Sequence, residues 1–285
     1  MPLSDQVVLV TGCSSGIGRA LALELHKRGQ RVFASARNPA SLAGLNCEKL
    51  SLDVTDQASI QCAVDEVIAK AGRIDMLVNN AGFNLIGPLA EVPLESVRKL
   101  FETNLTGLLA ASQVVIPHMA KQRHGRIVNL GSVVGLLPTP FAGPYCATKA
   151  AVHMLSDVLR MECAPFGIDV IVVQPGGVRS SIADTASQGL ERYAHEGSLY
   201  QPVHGYIHKR AQASQDRAME AEEFAERVAT AILADQAPRK VREGRGARVY
   251  PALSRLPGKL RDRALQKRFG LEELATALAP TERGK

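Results

Sequence analysis

The chain has 285 residues, 46% of them hydrophobic and only 4% aromatic, with no Trp and a formal net charge of +6. That apolar fraction is ample for a sizeable core, and 22% charged residues exclude both a disordered chain and a coiled coil. The charge is uneven: Pro238 to Gly270 holds eleven Lys/Arg against two acids, +9, so the remainder carries −3 and the global excess says nothing about the body's ligand.

In chain order, Val7 to Val10 is a short β-branched strand that leads through a Gly-rich turn into a helix from Gly16 to Lys27. Arg31 to Ala34 and Lys49 to Leu52 read as strands, and Asp53-Val-Thr-Asp opens a helix near Gln57 to Ala71. Met76 to Asn79 is a fourth strand. The pattern then predicts a long helix from about Leu94 to Lys121, kinked or broken near Pro117. Arg126 to Leu130 follows as a strand, then a helix from about Tyr145 to Ala164 and a sixth strand, Asp169 to Val173. Glu220 to Ala234 reads as a helix and Ala247 to Tyr250 as a last strand.

Strands without polar alternation, separated by helices, predict an α/β fold: a doubly wound, mostly parallel sheet with helices on both faces. A single domain over 1–285 is expected. The polar stretch from Ser180 to Asp216, with Tyr193, Tyr200, Tyr206 and three His, breaks the rhythm and reads as a substrate loop. Residues 238–285 form a basic C-terminal extension.

The five Cys are scattered without a C-x-x-C pair, which predicts a reduced, cytoplasmic chain. The N-terminus lacks a signal-peptide pattern, and no stretch approaches the ~18 apolar residues of a membrane span. Seven His without H-E-x-x-H or paired ligand spacing predict no metal. His195, His204 and His208, in the substrate loop, read as solvated or substrate-facing.

Thr11-Gly-Cys-Ser-Ser-Gly-Ile-Gly18 joins the first strand to the first helix. Gly12 permits a tight turn, Gly16 a close approach of backbone to a pyrophosphate, and Gly18 packing of helix on sheet, while the helix start offers free N–H groups to phosphate. These features predict a Rossmann-type dinucleotide site, against the plainer reading of a merely tight strand–helix turn. A cofactor with a free ribose 2′-hydroxyl wants an acid about 20 residues after the turn, yet no acid lies between Glu24 and Glu48. Arg37 stands there instead, with Ser14 and Ser15 as further candidates. A guanidinium suits a 2′-phosphate, so the predicted cofactor is NADP(H); a plain surface charge is the other reading of Arg37.

Tyr145 and Lys149 are four apart on a predicted helix and share a face. An ammonium there favours phenolate and would lower the Tyr pKa from about 10 into acid/base range. Ser132 follows the fifth strand at its C-terminal end, where open α/β sheets bind ligands. Each signal alone is weak; together they are specific.

Taken in order, these motifs resemble the short-chain dehydrogenase/reductase family in its single-domain form, over about Val7 to Ser181. Thr11 to Gly18 is similar to its T-G-x-x-x-G-I-G turn and Asn79-Asn-Ala-Gly82 to its N-N-A-G motif, which places Asn80 on the adenosine side. The resemblance implies cofactor contacts from Gly12, Ser14, Ser15, Gly16, Ile17, Gly18, Arg37, Asp53, Asn80 and Lys149. It adds Pro175, Gly176, Val178 and Ser180 of Pro175-Gly-Gly-Val-Arg-Ser180, the turn that fixes the nicotinamide carboxamide. It also implies that Tyr145 is the proton donor/acceptor, that Lys149 lowers its pKa and binds ribose, that Ser132 positions the carbonyl, and that Asn104 completes a relay to water. Gly131 departs from the family's usual Ser and Thr148 from the Ser common before the Lys.

The expected activity is hydride transfer between NADP(H) and a small-molecule carbonyl or secondary alcohol; a catalytically silent NADP(H)-binding sensor is the alternative. The basic tail, including Gln266-Lys-Arg-Phe-Gly270, resembles more loosely the extension of a branch with 17β-hydroxysteroid, retinol and acyl-dihydroxyacetone-phosphate enzymes. That implies a bulky apolar substrate such as a steroid, retinoid or lipid-derived ketone. For the tail itself a solvated surface and a peripheral membrane contact both stay open; without aromatic interleaving no nucleic acid is expected. Apolar residues on more than one face of the two long helices, with the resemblance, predict a homodimer or homotetramer.

Overall fold

The computed structural model describes residues 5–180, 186–187 and 189–277. Seven strands form one sheet in the order β3-β2-β1-β4-β5-β6-β7. They are β1 Val7–Val10, β2 Arg31–Ala36, β3 Glu48–Ser51, β4 Met76–Asn79, β5 Gly125–Leu130, β6 Ile168–Val173 and β7 Lys240–Val241. Every neighbouring pair is parallel. The strand order reverses between β1 and β4, and ligands of such sheets bind in the crevice at that reversal.

Side chains of a strand alternate between faces, and β1 shows why no polar residue interrupts it. Val8 and Val10 enter one core, against α1 (Gly16–Lys27). Val7 and Leu9 enter another, on the opposite face, with α2 (Gln57–Ala71). Helices α3 (Leu94–Phe101), α4 (Gly107–Gln122) and α5 (Gly143–Cys163) follow in the chain, and α4 and α5 cover the α2 face. After β6 come α6 (His204–Gln212) and α7 (Ala221–Ile232), and α7 packs beside α1 through Phe224, Val228 and Ile232. The chain closes with α8 (Val249–Leu253), α9 (Gly258–Arg268) and α10 (Leu271–Ala277).

Three expectations are corrected. The long helix does not break at Pro117; α4 runs through it. Pro117 and Gln113, the residue whose carbonyl it leaves without a donor, are both exposed, so solvent takes up the loss. The irregularity falls instead at Glu102–Thr106, one wide π turn between α3 and α4 that carries Asn104. Such turns recur at functional sites. Second, Ala247 to Tyr250 is not a strand. Gly244 (φ +96°) and Gly246 (φ +75°) turn the chain back on itself, and α8 begins at Val249. The last strand is the two-residue β7. Third, the stretch after Ser180 is not irregular where it is described. It folds into short turns, Leu190–Tyr193 and Gln201–Val203, and α6. A third cluster lies beneath it, in which Leu190, Tyr193, Val203 and Ile207 meet Ile86, Phe141 and Phe269. Residues 181–185 and 188 of the expected loop, and 278–285 of the extension, lie outside the described residues.

Candidate active site

The glycine turn is shaped by the end of β4. Gly12 has φ +72°, and a Cβ there would meet Ala81 Cα at 2.8 Å. A Cβ at Gly18 would lie 2.2 Å from Asn80 Nδ2 and 2.4 Å from the Gly12 carbonyl. Asn80 Nδ2 donates to the carbonyls of Thr11 (2.9 Å) and Gly12 (3.0 Å), and Thr11 Oγ1 accepts the N–H of Asn80 and of Ala81. The constraint on Gly18 is thus Asn80 and the turn itself, not the packing of helix on sheet that the spacing suggested. No acid sits in the first turn of α1 and Ser15 does not cap it, so the helix start keeps its positive end for an anion. Gly16, at φ +56°, and the exposed Ser14 and Ser15 complete the turn. This cradle, which a side chain at 12 or 18 would fill, fits a dinucleotide's pyrophosphate.

Arg37 is exposed just past β2. Asp53, just past β3, accepts from Thr55 N (2.9 Å) and Thr55 Oγ1 (2.8 Å). Burial pushes the Asp53 carboxyl up, but those bonds and the charges of Arg37 and Lys99 hold it below the usual range. An anion arriving beside Arg37 therefore also meets a carboxylate.

A cavity of about 770 Å³ opens at the C-terminal ends of β4, β5 and β6. Ile17, Asn80, Ser132, Tyr145, Lys149, Pro175, Gly176, Val178 and Ser180 all line it. Gly12, Ser14, Ser15, Gly16, Gly18, Arg37 and Asp53 do not. Asn104 is buried behind the wall: its Oδ1 accepts from Phe83 N (3.0 Å), and its Nδ2 donates to Phe83 O (2.9 Å) and, at 3.5 Å, to Thr148 Oγ1. Thr148 in turn donates to the Tyr145 carbonyl (2.9 Å). The Asn104 side chain therefore holds the loop after β4 against α5, and the Thr that departs from the family's Ser is part of that joint.

Tyr145 and Lys149 do share a face of α5. Lys149 Nζ donates to the Leu130 carbonyl at 2.7 Å and lies 5.7 Å from the centroid of the Tyr145 ring. Burial pushes the ammonium down to about 8. Burial, and then the neighbouring Cys146 thiol, push the Tyr145 phenol up to about 12, against the opposing pull of a hydrogen bond with Ser132 and of the Arg210 charge. The expectation that Lys149 sets the acidity of Tyr145 is not met in this arrangement: desolvation outweighs it, and the moderating groups are Ser132 and Arg210.

Ser132 rests on a residue that the sequence did not single out. Its N–H donates to His153 Nε2 at 3.4 Å. His153 is four residues beyond Lys149 on α5 and buried, and burial, with the nearby cations led by Lys149, pushes it down to about 4 despite Asp157. It is therefore a neutral acceptor at neutral pH. A Cβ at Gly131 would lie 2.4 Å from His153 Nε2, so the missing Ser at 131 is the space that His153 fills. Gln174 Nε2 lies 3.5 Å from the imidazole, and Gln174 Oε1 accepts from Arg242 Nε at 2.6 Å. The only advance signal for His153 was its i+4 spacing from Lys149.

Other lining residues escaped notice because the fold alone brings them in. Asn84 is buried, with its Oδ1 unmatched among the described residues. Arg210, Tyr250, Leu265 and Phe269 come from α6 and the basic extension. Phe269 packs edge-on against Phe141 (6.5 Å between centroids), so part of the extension is cavity wall. His195, His204 and His208 do not line the cavity. His204 and His208 stack edge-to-face at 4.5 Å, and His208 Nε2 lies 3.6 Å from Glu191. No described helix is long and apolar enough to cross a membrane.

The sequence profile of a family described as short chain dehydrogenase matches residues 6–191. The chain belongs to the short-chain dehydrogenase family. It is 37% identical over 182 residues to a 3-ketodihydrosphingosine reductase of Bacteroides thetaiotaomicron, covering 64% of this chain and 67% of that one. A short-chain dehydrogenase/reductase of Burkholderia phymatum in complex with NAD superimposes with a TM-score of 0.77 at 25% identity, over 93% of this chain and 96% of that one. A serine dehydrogenase complexed with NADP+ does so with a TM-score of 0.72 at 26% identity, over 84% and 94%. As a short-chain dehydrogenase the chain is an oxidoreductase that works with a nicotinamide cofactor on a small molecule.

The match of Gly131 to His153 predicts an energetic coupling. Gly131→Ala should lower the unfolding free energy by about 1–3 kcal/mol through overpacking. Adding His153→Ala should recover part of that loss, so the double variant is less destabilised than the sum of the singles. Urea denaturation of the four proteins reads the coupling; additive losses would show that the two positions do not contend for the same space.

Proposed function

We propose that this short-chain dehydrogenase is NADP(H)-dependent and interconverts a ketone and a secondary alcohol on a substrate with a bulky apolar body. The observation that carries this is the meeting of Ser132, Tyr145 and Lys149 in one cavity beside the Gly12–Gly18 cradle. The cofactor supplies or accepts the hydride when bound. Tyr145, protonated at neutral pH because its phenol is pushed up to about 12, gives its proton to the carbonyl oxygen. Ser132, hydrogen-bonded with that phenol, orients the same oxygen, and His153 holds the Ser132 backbone. Lys149 places a cation beneath the ring and binds ribose, and Asn104 positions the loop at Phe83. Pro175, Gly176, Val178 and Ser180 take the nicotinamide end, and Asp53, Asn80 and Arg37 the adenosine end. The whole chain acts as one domain, with residues of 209–216 and of 245–269 walling the cavity.

Two features support an apolar substrate body. Leu137, Val249, Leu253, Leu265 and Phe269 line the cavity, and a relative named for reducing 3-ketodihydrosphingosine favours a lipid-derived ketone. Screening NADPH oxidation against ketosteroids, retinal and long-chain ketones tests the activity. In the active pair, Tyr145→Phe should lower turnover by roughly 10²- to 10⁴-fold with cofactor affinity retained. Near-parental turnover in the Phe variant would remove Tyr145 from the reaction, and cofactor binding with no turnover on any carbonyl would favour the silent sensor.

The cofactor preference rests on Arg37 and on the absence of an acid between Glu24 and Glu48. A charge-assisted bond is worth about 1.5–3 kcal/mol, so NADPH should bind on the order of ten- to a hundredfold more tightly than NADH. The nearby Asp53 carboxylate places the expected value toward the lower end. Arg37→Asp should invert the order. Equal affinity in the parent, or an unchanged ratio in the variant, measured by fluorescence titration, would overturn the assignment.

A homodimer or homotetramer is proposed on a row along α5. Met154, Val158 and Met161 recur at i, i+4 and i+7 and are 68%, 39% and 64% exposed, a spacing that puts them on one face. Light scattering at micromolar concentration should give at least a dimer mass, and Met161→Glu should shift it toward the monomer; a monomeric parent would exclude this.

A further inference from the structure

The cavity contains a charge that the protein does not neutralise. Arg210, on α6, is 7% exposed and lines the cavity. Among the described residues its guanidinium has no ion pair and no hydrogen bond, and its Nε is sealed from solvent without a partner. A buried unpaired guanidinium is costly and stays charged. An anion that paired with it would remove that cost.

The surroundings point the same way. Five cationic side chains line the cavity, Lys149, Lys209, Arg210, Arg245 and Arg268, against one carboxylate, Asp216. That carboxylate is bound by Arg245 at 2.9 Å. Lys149 is held by the Leu130 carbonyl, and Lys209 and Arg268 lie over the rings of Tyr206 and Phe269. Arg210 alone of the five has neither an acceptor nor a ring among these contacts. It is also near enough to Tyr145 for its charge to favour the phenolate, which puts it on the reacting side of the cavity.

We propose that the substrate carries an anionic head group, a carboxylate or a phosphate, that pairs with the Arg210 guanidinium on the same side of the cavity as the Tyr145 phenol, with its apolar body lying toward Leu265 and Phe269. This rests on the ketone-reductase reading above and narrows its substrate class. The planar fork of an arginine meets two oxygens of either head group at once. A long-chain keto acid fits; a long-chain amino ketone would bring a further cation into a cavity already in positive excess.

The test uses the full chain with NADPH and matched substrates: 2-, 3- and 4-oxododecanoate, their methyl esters, and an amino ketone of the same length. At least one keto acid should exceed its ester in kcat/KM by ten- to a hundredfold, mainly through KM, with the amino ketone poorest. Arg210→Gln should collapse that ratio to near one, and Arg210→Lys should keep part of it, which also controls for folding. An acid no better than its ester, or a ratio kept in Arg210→Gln, overturns the proposal. So does an equal loss on acid and ester in Arg210→Gln, since Arg210 would then act only on the phenol. Calorimetry with dodecanoate and dodecyl phosphate, which cannot react, separates this from the catalytic reading. Binding by the parent that Arg210→Gln abolishes supports the anion site even if no ketone is turned over, and the tighter of the two names the head group. No binding of either overturns it.

Discussion

The site depends on a buried amide. Asn129, in the middle of the sheet, accepts from Asn79 Nδ2 at 2.9 Å and donates to Ser156 Oγ at 2.9 Å, while Asn79 also donates to Ser112 Oγ at 3.0 Å. Two strands and two helices are thereby held in register, where a group left unmatched costs about 1–3 kcal/mol. Tyr145, Lys149 and His153 stand at successive turns above Ser156, so holding Ser156 sets the height and rotation of all three. Asn129 is also three residues before Ser132. One side chain therefore fixes both halves of the constellation, and the proposed chemistry, with a proton donor and a hydroxyl on the same oxygen, depends on that joint.

Around the joint, bulk has been exchanged between elements. The strand end gives up a side chain at Gly131, and the helix supplies His153 in its place. From there a polar chain runs through Gln174 to Arg242, just after β7. The short edge strand thus contributes more through the residue that follows it than through its own two ladder positions. At the other end of the cavity Asn80 plays the comparable part, closing the glycine turn from outside it.

Much of this was legible in the sequence because it is local. The apolar strands, the turn from Thr11 to Gly18 and the four-residue step from Tyr145 to Lys149 are patterns within one or two elements, and the fold placed them as expected. What was not legible depends on contacts between distant segments. The π turn at Asn104 leaves no mark as strong as Pro117, which attracted the expected break and caused none. Val249 and Tyr250 have strand-forming side chains, but Gly244 and Gly246 decide the path. Arg210 lies inside what the sequence offered only as a polar substrate loop, and it is α6 laid over the cavity that brings it to the site. For Tyr145, spacing showed the ammonium, while only the fold shows the desolvation that opposes it.

The third apolar cluster has a consequence for how the molecule opens. Neither sheet-face core contains a described residue from 186–212 or 249–277; those segments meet the body through Ile86, Phe141, Ala142 and Cys146 in the third cluster, and Ser198 and Leu199 also donate to Glu91. Cooperative units of a protein follow such boundaries. Opening this cover would forfeit the third cluster and leave both sheet-face cores intact. Amide exchange there should run ahead of exchange in β4 and β5. Opening of the cover and loosening of the sheet are then distinct events, with different barriers.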